Sequence, residues 1–290
     1  MQKYTLGFSP CPNDCFVFDA MLHGKIDTEG LSFQPVITDV EDLNQRAFKG
    51  ELDITKISYH AYAYINKEYV LLHAGSALGN NCGPLLVGIC NPDLIAQDLQ
   101  SYVTKLKIAI PGKYTTANLL MGLYAPDAKN KVEMVFSAIE DSILNGSVDA
   151  GVIIHENRFT YQQKGLHKII DLGEYWETLT QCPIPLGAIA VKRKLADDEK
   201  EKINRVLRQS VEFAFANPES SMEFVKQHSQ SMSEEVMKKH IDLYVNKYSI
   251  DLGDVGRNAV NVLYKKAQEA NIIPEMKEDI FILQHSTITN

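Results

Sequence analysis

His155 follows the apolar run Gly151-Val-Ile-Ile154 and precedes the polar Glu156-Asn-Arg158. An imidazole at the point where a core strand opens into a cleft can act as a general base with a pKa near working pH. The same placement also suits a histidine held in the structure by hydrogen bonds. Thr115 and Thr116 sit in Pro111-Gly-Lys-Tyr-Thr-Thr-Ala117, just ahead of an apolar stretch. At a helix N-terminus their hydroxyls and backbone N–H groups could hold an anion, or simply cap the helix. The segment Ser76-Ala-Leu-Gly-Asn-Asn-Cys-Gly-Pro84 is small and polar, suited to a pocket wall or a turn, and Trp176 beside Tyr175 could stack on a planar ligand or pack in the core. Cys11 and Cys15 are separated by three residues with no histidine nearby, so no metal site is expected there. Walker A, dinucleotide-fingerprint, HExxH and GxSxG patterns do not occur, which removes the most recognisable cofactor and nucleophile classes.

Such residues need elements to carry them. Tyr4-Thr-Leu-Gly-Phe8 alternates as a strand does, Ser9-Pro-Cys-Pro-Asn-Asp14 breaks it, and residues 15–22 read as a helix capped by Asn13 or Asp14. A second helix fits 40–49, with Asp39 as N-cap and Gly50 just past its end, followed by a short strand over 53–57. The pattern then returns about a hundred residues later. Residues 107–111 form the strand, 112–116 the loop and 117–124 the helix, while Gly50-Glu-Leu-Asp53 before Ile57 is echoed by Gly146-Ser-Val-Asp149 before Ile153. Two βαβ-like lobes are expected, joined by apolar crossing segments at 84–89 and 186–191. On this reading residues 1–90 and 190–290 make a discontinuous lobe one with the C-terminal helices, and 91–189 make lobe two. In the first of those helices Ile203, Val206, Leu207, Ser210, Val211 and Ala214 share one face; Pro218 opens a following turn, and a further helix starts at Ser233 and runs to about residue 248. Ligands in α/β sheets bind beyond the carboxyl ends of strands. Four loops are thereby nominated: 9–14, 112–117, Lys56-Ile57-Ser58, and 155–158.

The 290 residues are 45% hydrophobic and 23% charged, an ordinary globular composition with room for two lobes. Lys plus Arg at 29 against Asp plus Glu at 37 gives a net charge of −8, a poor match to nucleic acid or an anionic membrane. The N-terminus reaches Pro10 and Pro12 before any signal-like apolar stretch, and no transmembrane-length run occurs. A cytoplasmic protein with reduced thiols is expected, its five cysteines being odd in number and scattered.

Six motifs in order carry a more specific signal: Gly7-Phe-Ser-Pro-Cys-Pro-Asn-Asp14, Thr55-Lys-Ile-Ser-Tyr59, Gly75-Ser-Ala-Leu-Gly79, Pro111-Gly-Lys-Tyr-Thr-Thr-Ala117, Ile153-Ile-His-Glu156 with Arg158-Phe-Thr-Tyr161, and Leu186-Gly-Ala-Ile189. Together they resemble the 1,4-dihydroxy-6-naphthoate synthase family, lyases of the futalosine route to menaquinone, from about residue 4 to about residue 246. The resemblance implies an α/β, two-lobed fold of the periplasmic-binding-protein type II kind, with two crossing strands and the ligand between the lobes. It implies a carboxylated small-molecule substrate, cyclic dehypoxanthinyl futalosine, with His155 as proton acceptor. Lys56, Ile57 and Ser58, and Thr116 and Ala117, are the implied substrate contacts. Thr115 is added as an anion-binding candidate, and Ser9 and Asn13 from the opening loop, Asn13 with Ser58 orienting substrate oxygens. No cofactor and no metal are expected, since aromatisation of the new ring drives the cleavage; a homodimer is left open. Cys15 departs from the small hydroxyl residue expected there, which puts a direct role for that side chain in doubt. Two rivals stay open: the chorismate dehydratase branch of the same pathway, and a non-enzymatic receptor for a small carboxylate.

Overall fold

The computed structural model describes residues 2–95, 98–154, 157–229 and 233–283. Its strands form two sheets. The first is built from β1 (Gln2–Phe8), β2 (Leu31–Ile37), β3 (Ile54–Ser58), β4 (Tyr69–Leu71), β5 (Ala77–Gly79) and, from far along the chain, Ile184–Lys192. The second takes β6 (Leu85–Gly88), β7 (Ile108–Ile110), β8 (Lys131–Glu133), β9 (Ala150–Ile153) and β10 (His167–Asp171), which leaves Ile184–Lys192 as β11. Every residue of β3 is buried, and so is all of β11 except its last, as expected of strands covered on both faces by helices.

The repeat is visible in the pairing. β1 runs parallel to β2 on one side and β3 on the other; β7 runs parallel to β8 and β9 in the same way. The two echoed aspartates do the same job in each sheet. Asp53 accepts from the backbone N–H of Thr5 at 3.0 Å, at the foot of β3 beside β1, and Asp149 accepts from that of Lys107 at 2.7 Å, at the foot of β9 beside β7. The crossing strands complete the symmetry: β11 lies antiparallel against β3, and β6 antiparallel against β9. Each crossing strand therefore joins the sheet that the chain is entering.

Several helices start where a capping side chain places them. Asp39 caps Val40–Phe48 by accepting from Glu41 N, and Thr115 caps Thr116–Tyr124 by accepting from Asn118 N. In Asp197–Ala216 the buried residues are Ile203, Val206, Leu207, Ser210, Val211 and Ala214, the face expected from spacing. Two expectations need correction. The first helix begins at Pro12, with Cys11 at the N-cap position and no side-chain cap; Asn13 and Asp14 lie inside it because their side chains are engaged elsewhere. The helix opened by Ser233 ends at Tyr244, after which Asn246 caps a separate turn, Lys247–Ile250.

Candidate active site

A cleft of about 730 Å³, its open mouth included, lies between the two sheets, a size suited to a small-molecule ligand. Ser9, Asn13, Lys56, Ile57, Ser58, Thr115, Thr116 and Ala117 all line it. His155 lies outside the described residues; Ile154, its neighbour at the end of β9, lines the cleft. The walls also include Leu186 and Gly187 of the Leu186-Gly-Ala-Ile189 motif, together with Glu41, His240 and Tyr244, three residues that were not singled out from sequence.

Asp14 organises the first wall. Its Oδ2 accepts from Ser9 N at 3.1 Å and Ser9 Oγ at 2.6 Å, and its Oδ1 accepts from Asn13 Nδ2 at 2.9 Å and pairs with Lys56 Nζ at 2.9 Å. Four donors use the capacity of a carboxylate, so Asp14 is an anchor and not a base. Burying the Lys56 ammonium would be costly alone, and the paired carboxylate offsets that cost. Lys56 keeps protons to offer a ligand, whereas Ser9 has spent its hydroxyl proton on Asp14.

Ser58 is held from behind by Asn44, a fully buried residue of the helix Val40–Phe48. Asn44 Nδ2 donates to Ser58 Oγ at 3.2 Å, and Ser58 N donates to Asn44 Oδ1 at 3.0 Å. The Ser58 oxygen thus accepts internally and retains its own proton for a substrate oxygen. Asn44 carried a readable signal: it lies with Leu43 and Ala47 on the buried face of its helix, where a polar side chain requires partners.

The opposite wall is a helix N-terminus. Thr115 Oγ1 donates to Gly112 O at 2.8 Å and accepts from Asn118 N, so its hydroxyl is occupied in capping. Thr116 Oγ1 donates to Leu186 O of β11 at 2.6 Å, tying this turn to the crossing strand. What the turn offers a ligand is the first-turn N–H groups of Thr116 and Ala117. Among the described residues lining the cleft the charged side chains are Asp14, Asp39, Glu41 and Lys56, so Lys56 is the single cation there. Capture of an anion depends on it and on the helix N-terminus.

The two walls also touch. Glu41 accepts from Asn44 Nδ2 at 3.1 Å and Gln45 Nε2 at 2.9 Å on its own side, and its carboxyl lies against the backbone of Tyr114 across the seam. Burial, with Glu133 adding to it, pushes the Glu41 carboxyl above its ordinary value. Gly112 opposite has φ +152°, and a Cβ there would meet Glu41 Oε2 at 2.6 Å. Phe48 and Tyr114 pack edge to face with centroids 4.7 Å apart.

His60 crosses the seam as well, donating from Nδ1 to the carbonyl of Thr115 at 3.1 Å. Burial lowers its pKa from 6.5 to about 4. The folded protein therefore binds this proton less tightly than the unfolded chain, and the stability involved is complete above pH 6.5 and is lost as pH falls toward 4. At pH 5 the loss should be about 2 kcal/mol for this group. In urea titrations at pH 7 and pH 5, His60→Asn, whose amide can occupy the Nδ1 position without titrating, should show a correspondingly flatter pH dependence.

Two α/β units of like design, linked by exchanged strands and enclosing a cleft lined by helix N-termini, define the two-lobed binding-protein fold. The alkanesulfonate-binding protein of Xanthomonas axonopodis pv. citri shares it, with a TM-score of 0.69 at 12% identity over 95% of both chains. A crystal structure of a protein from Archaeoglobus fulgidus aligns with a TM-score of 0.86 at 37% identity, covering 93% of this chain and 98% of that one. The profile of the menaquinone biosynthesis family matches residues 4–269. Two proteins named 1,4-dihydroxy-6-naphthoate synthase are similar over nearly their whole length: that of Thermus thermophilus at 39% identity, over 97% of this chain and 100% of its own, and that of Streptomyces coelicolor at 38%, over 94% and 96%. The chain belongs to this menaquinone biosynthesis family.

Proposed function

We propose that the protein is a carbon–carbon lyase that converts cyclic dehypoxanthinyl futalosine to 1,4-dihydroxy-6-naphthoate with release of dihydroxyacetone, His155 acting as proton acceptor. The near full-length relationship to two synthases of that name carries the reading. The cleft is consistent with it. An aromatic carboxylate would be received by Thr116 N–H and Ala117 N–H with Lys56 Nζ opposite; the dipole contribution at the helix N-terminus is about 0.3–2 kcal/mol. Ser58 would donate to a substrate oxygen. Removal of a proton by His155 starts ring opening, and formation of the aromatic ring supplies the driving force. Contacts between the walls, such as Glu41 to Tyr114, would exclude water from the reacting centre.

In this reading the protein works in the cytoplasm; among the described residues no helix is long and apolar enough to cross a membrane. The lobes divide as 1–90 with 190–290 against 91–189, with the crossing strands β6 and β11 lying at the two boundaries. One protomer supplies every group invoked, so a homodimer would leave the site as described. Supplying purified protein separately with the cyclic futalosine derivative and with chorismate, with EDTA and no added cofactor, tests the reading. Dihydroxynaphthoate should form from the first at an undiminished rate. Dehydration of chorismate, or tight binding of either compound without turnover, would favour the rivals.

A further inference from the structure

The helix Glu234–Tyr244 packs on the first wall through Met237, His240, Ile241 and Tyr244. Three of these are what an amphipathic helix needs for burial, but an imidazole on that face must have its polar atoms satisfied. His240 is 1% exposed, and its Nε2 lies 2.9 Å from Asn13 Oδ1, across 227 residues of sequence. The Asn13 amide has one usable orientation: its Nδ2 donates to the Asp14 carboxylate, which only accepts, so its oxygen faces His240. His240 Nε2 must then carry the hydrogen and donate. A directed chain results, His240 to Asn13 to Asp14, closed from the other side by Lys56 at 2.9 Å. All four side chains line the cleft.

We propose that His240 is a positioning residue for the reaction: by fixing the Asn13 amide it holds Asp14 against Lys56, so that a helix near the C-terminus sets the place of the cation that faces the substrate carboxylate. Without the His240 donor, no other hydrogen bond among the described residues holds the Asn13 oxygen, and the amide can turn that oxygen toward Asp14, where it would repel the carboxylate and loosen the pair. This rests on the lyase reading above.

Turnover of the cyclic futalosine derivative by the full-length protein tests it, using His240→Phe, Asn13→Ala, the double variant and His240→Gln. His240→Phe keeps a ring beside Tyr244, whose centroid is 4.7 Å from that of His240, and removes the donor. His240→Phe and Asn13→Ala should each lower kcat/KM on the order of 10–100-fold, mostly through KM. The double variant should fall no further than the worse single one, since both cut the same chain. His240→Gln, which places an N–H near the Nε2 position, should recover most of the loss. Wild-type KM in His240→Phe, losses that multiply in the double variant, or His240→Gln as impaired as His240→Phe would each overturn the assignment while leaving the lyase reading intact. Should His240→Phe not fold, Asn13→Ala and His240→Gln decide: an increased KM only in Asn13→Ala supports the chain, and a wild-type KM in Asn13→Ala ends it. If the wild-type protein forms no dihydroxynaphthoate, the lyase reading fails first, and this assignment with it.

Discussion

Lys56→Met is expected to lose both stability and substrate capture. Methionine keeps the length and the apolar stem but removes the ammonium from a pair in which the side chains are 8% and 2% exposed. Asp14 then keeps Ser9 and Asn13 as donors and has no counter-ion. Breaking a buried pair by removing one partner costs about 3–5 kcal/mol, which for a chain of this length lowers the melting temperature by roughly 6–20 °C. The variant also loses the one cation among the described lining residues, and a hydrogen bond to a charged group contributes about 1.5–3 kcal/mol, so KM should rise by roughly 10–150-fold. Combining Lys56→Met with Asp14→Asn separates the two effects: the melting temperature should recover while KM stays high. Calorimetric melts and steady-state kinetics read both. A Lys56→Met protein that melts like wild type would show that Asp14 does not depend on the ammonium.

The second large effect is expected at His155. If it removes the substrate proton, His155→Ala should lower kcat by about 10²–10⁴-fold with little change in KM. Among the described residues, neither of the histidines nearest the cleft can readily substitute. His60 is buried and its Nδ1 is committed to the Thr115 carbonyl, and His240 donates to Asn13. Asp14 is saturated with donors. In the wild type, kcat should fall on the acid side as the imidazole takes up a proton, and the residual activity of His155→Ala should lack that limb. A kcat within a few-fold of wild type would move the base elsewhere.

Much of this arrangement was legible in the sequence, and the reasons differ by element. The buried face of Asp197–Ala216 follows from 3.6-residue spacing, and Asp39 and Thr115 act as the caps that their types suggest. The repeat was visible because two lobes solve the same packing problem with the same Gly-x-x-Asp turn. β2 was missed: it is an edge strand with Pro35 in its middle and little alternation, so neither period nor propensity marks it. The start of the first helix was misplaced for a functional reason. Asn13 and Asp14 have the chemistry of caps, but their side chains serve Lys56 and His240. Local rules fail most often where a site has claimed the residue. All eight binding candidates line the cleft, although which atoms they can offer was not readable: Thr115 is consumed in capping, and Ser9 in holding Asp14. Asn44 and His240 were within reach of sequence reasoning, as polar residues on buried helix faces. Their partners, 14 and 227 residues away, were not.

The most direct measurement is mass spectrometry of purified protein incubated with cyclic dehypoxanthinyl futalosine, with no cofactor added, quantifying both expected products over time. The account predicts 1,4-dihydroxy-6-naphthoate and dihydroxyacetone appearing in equal amounts as substrate disappears. Substrate left intact under conditions in which the protein is folded and binds it would contradict the account and leave a receptor in place of a lyase.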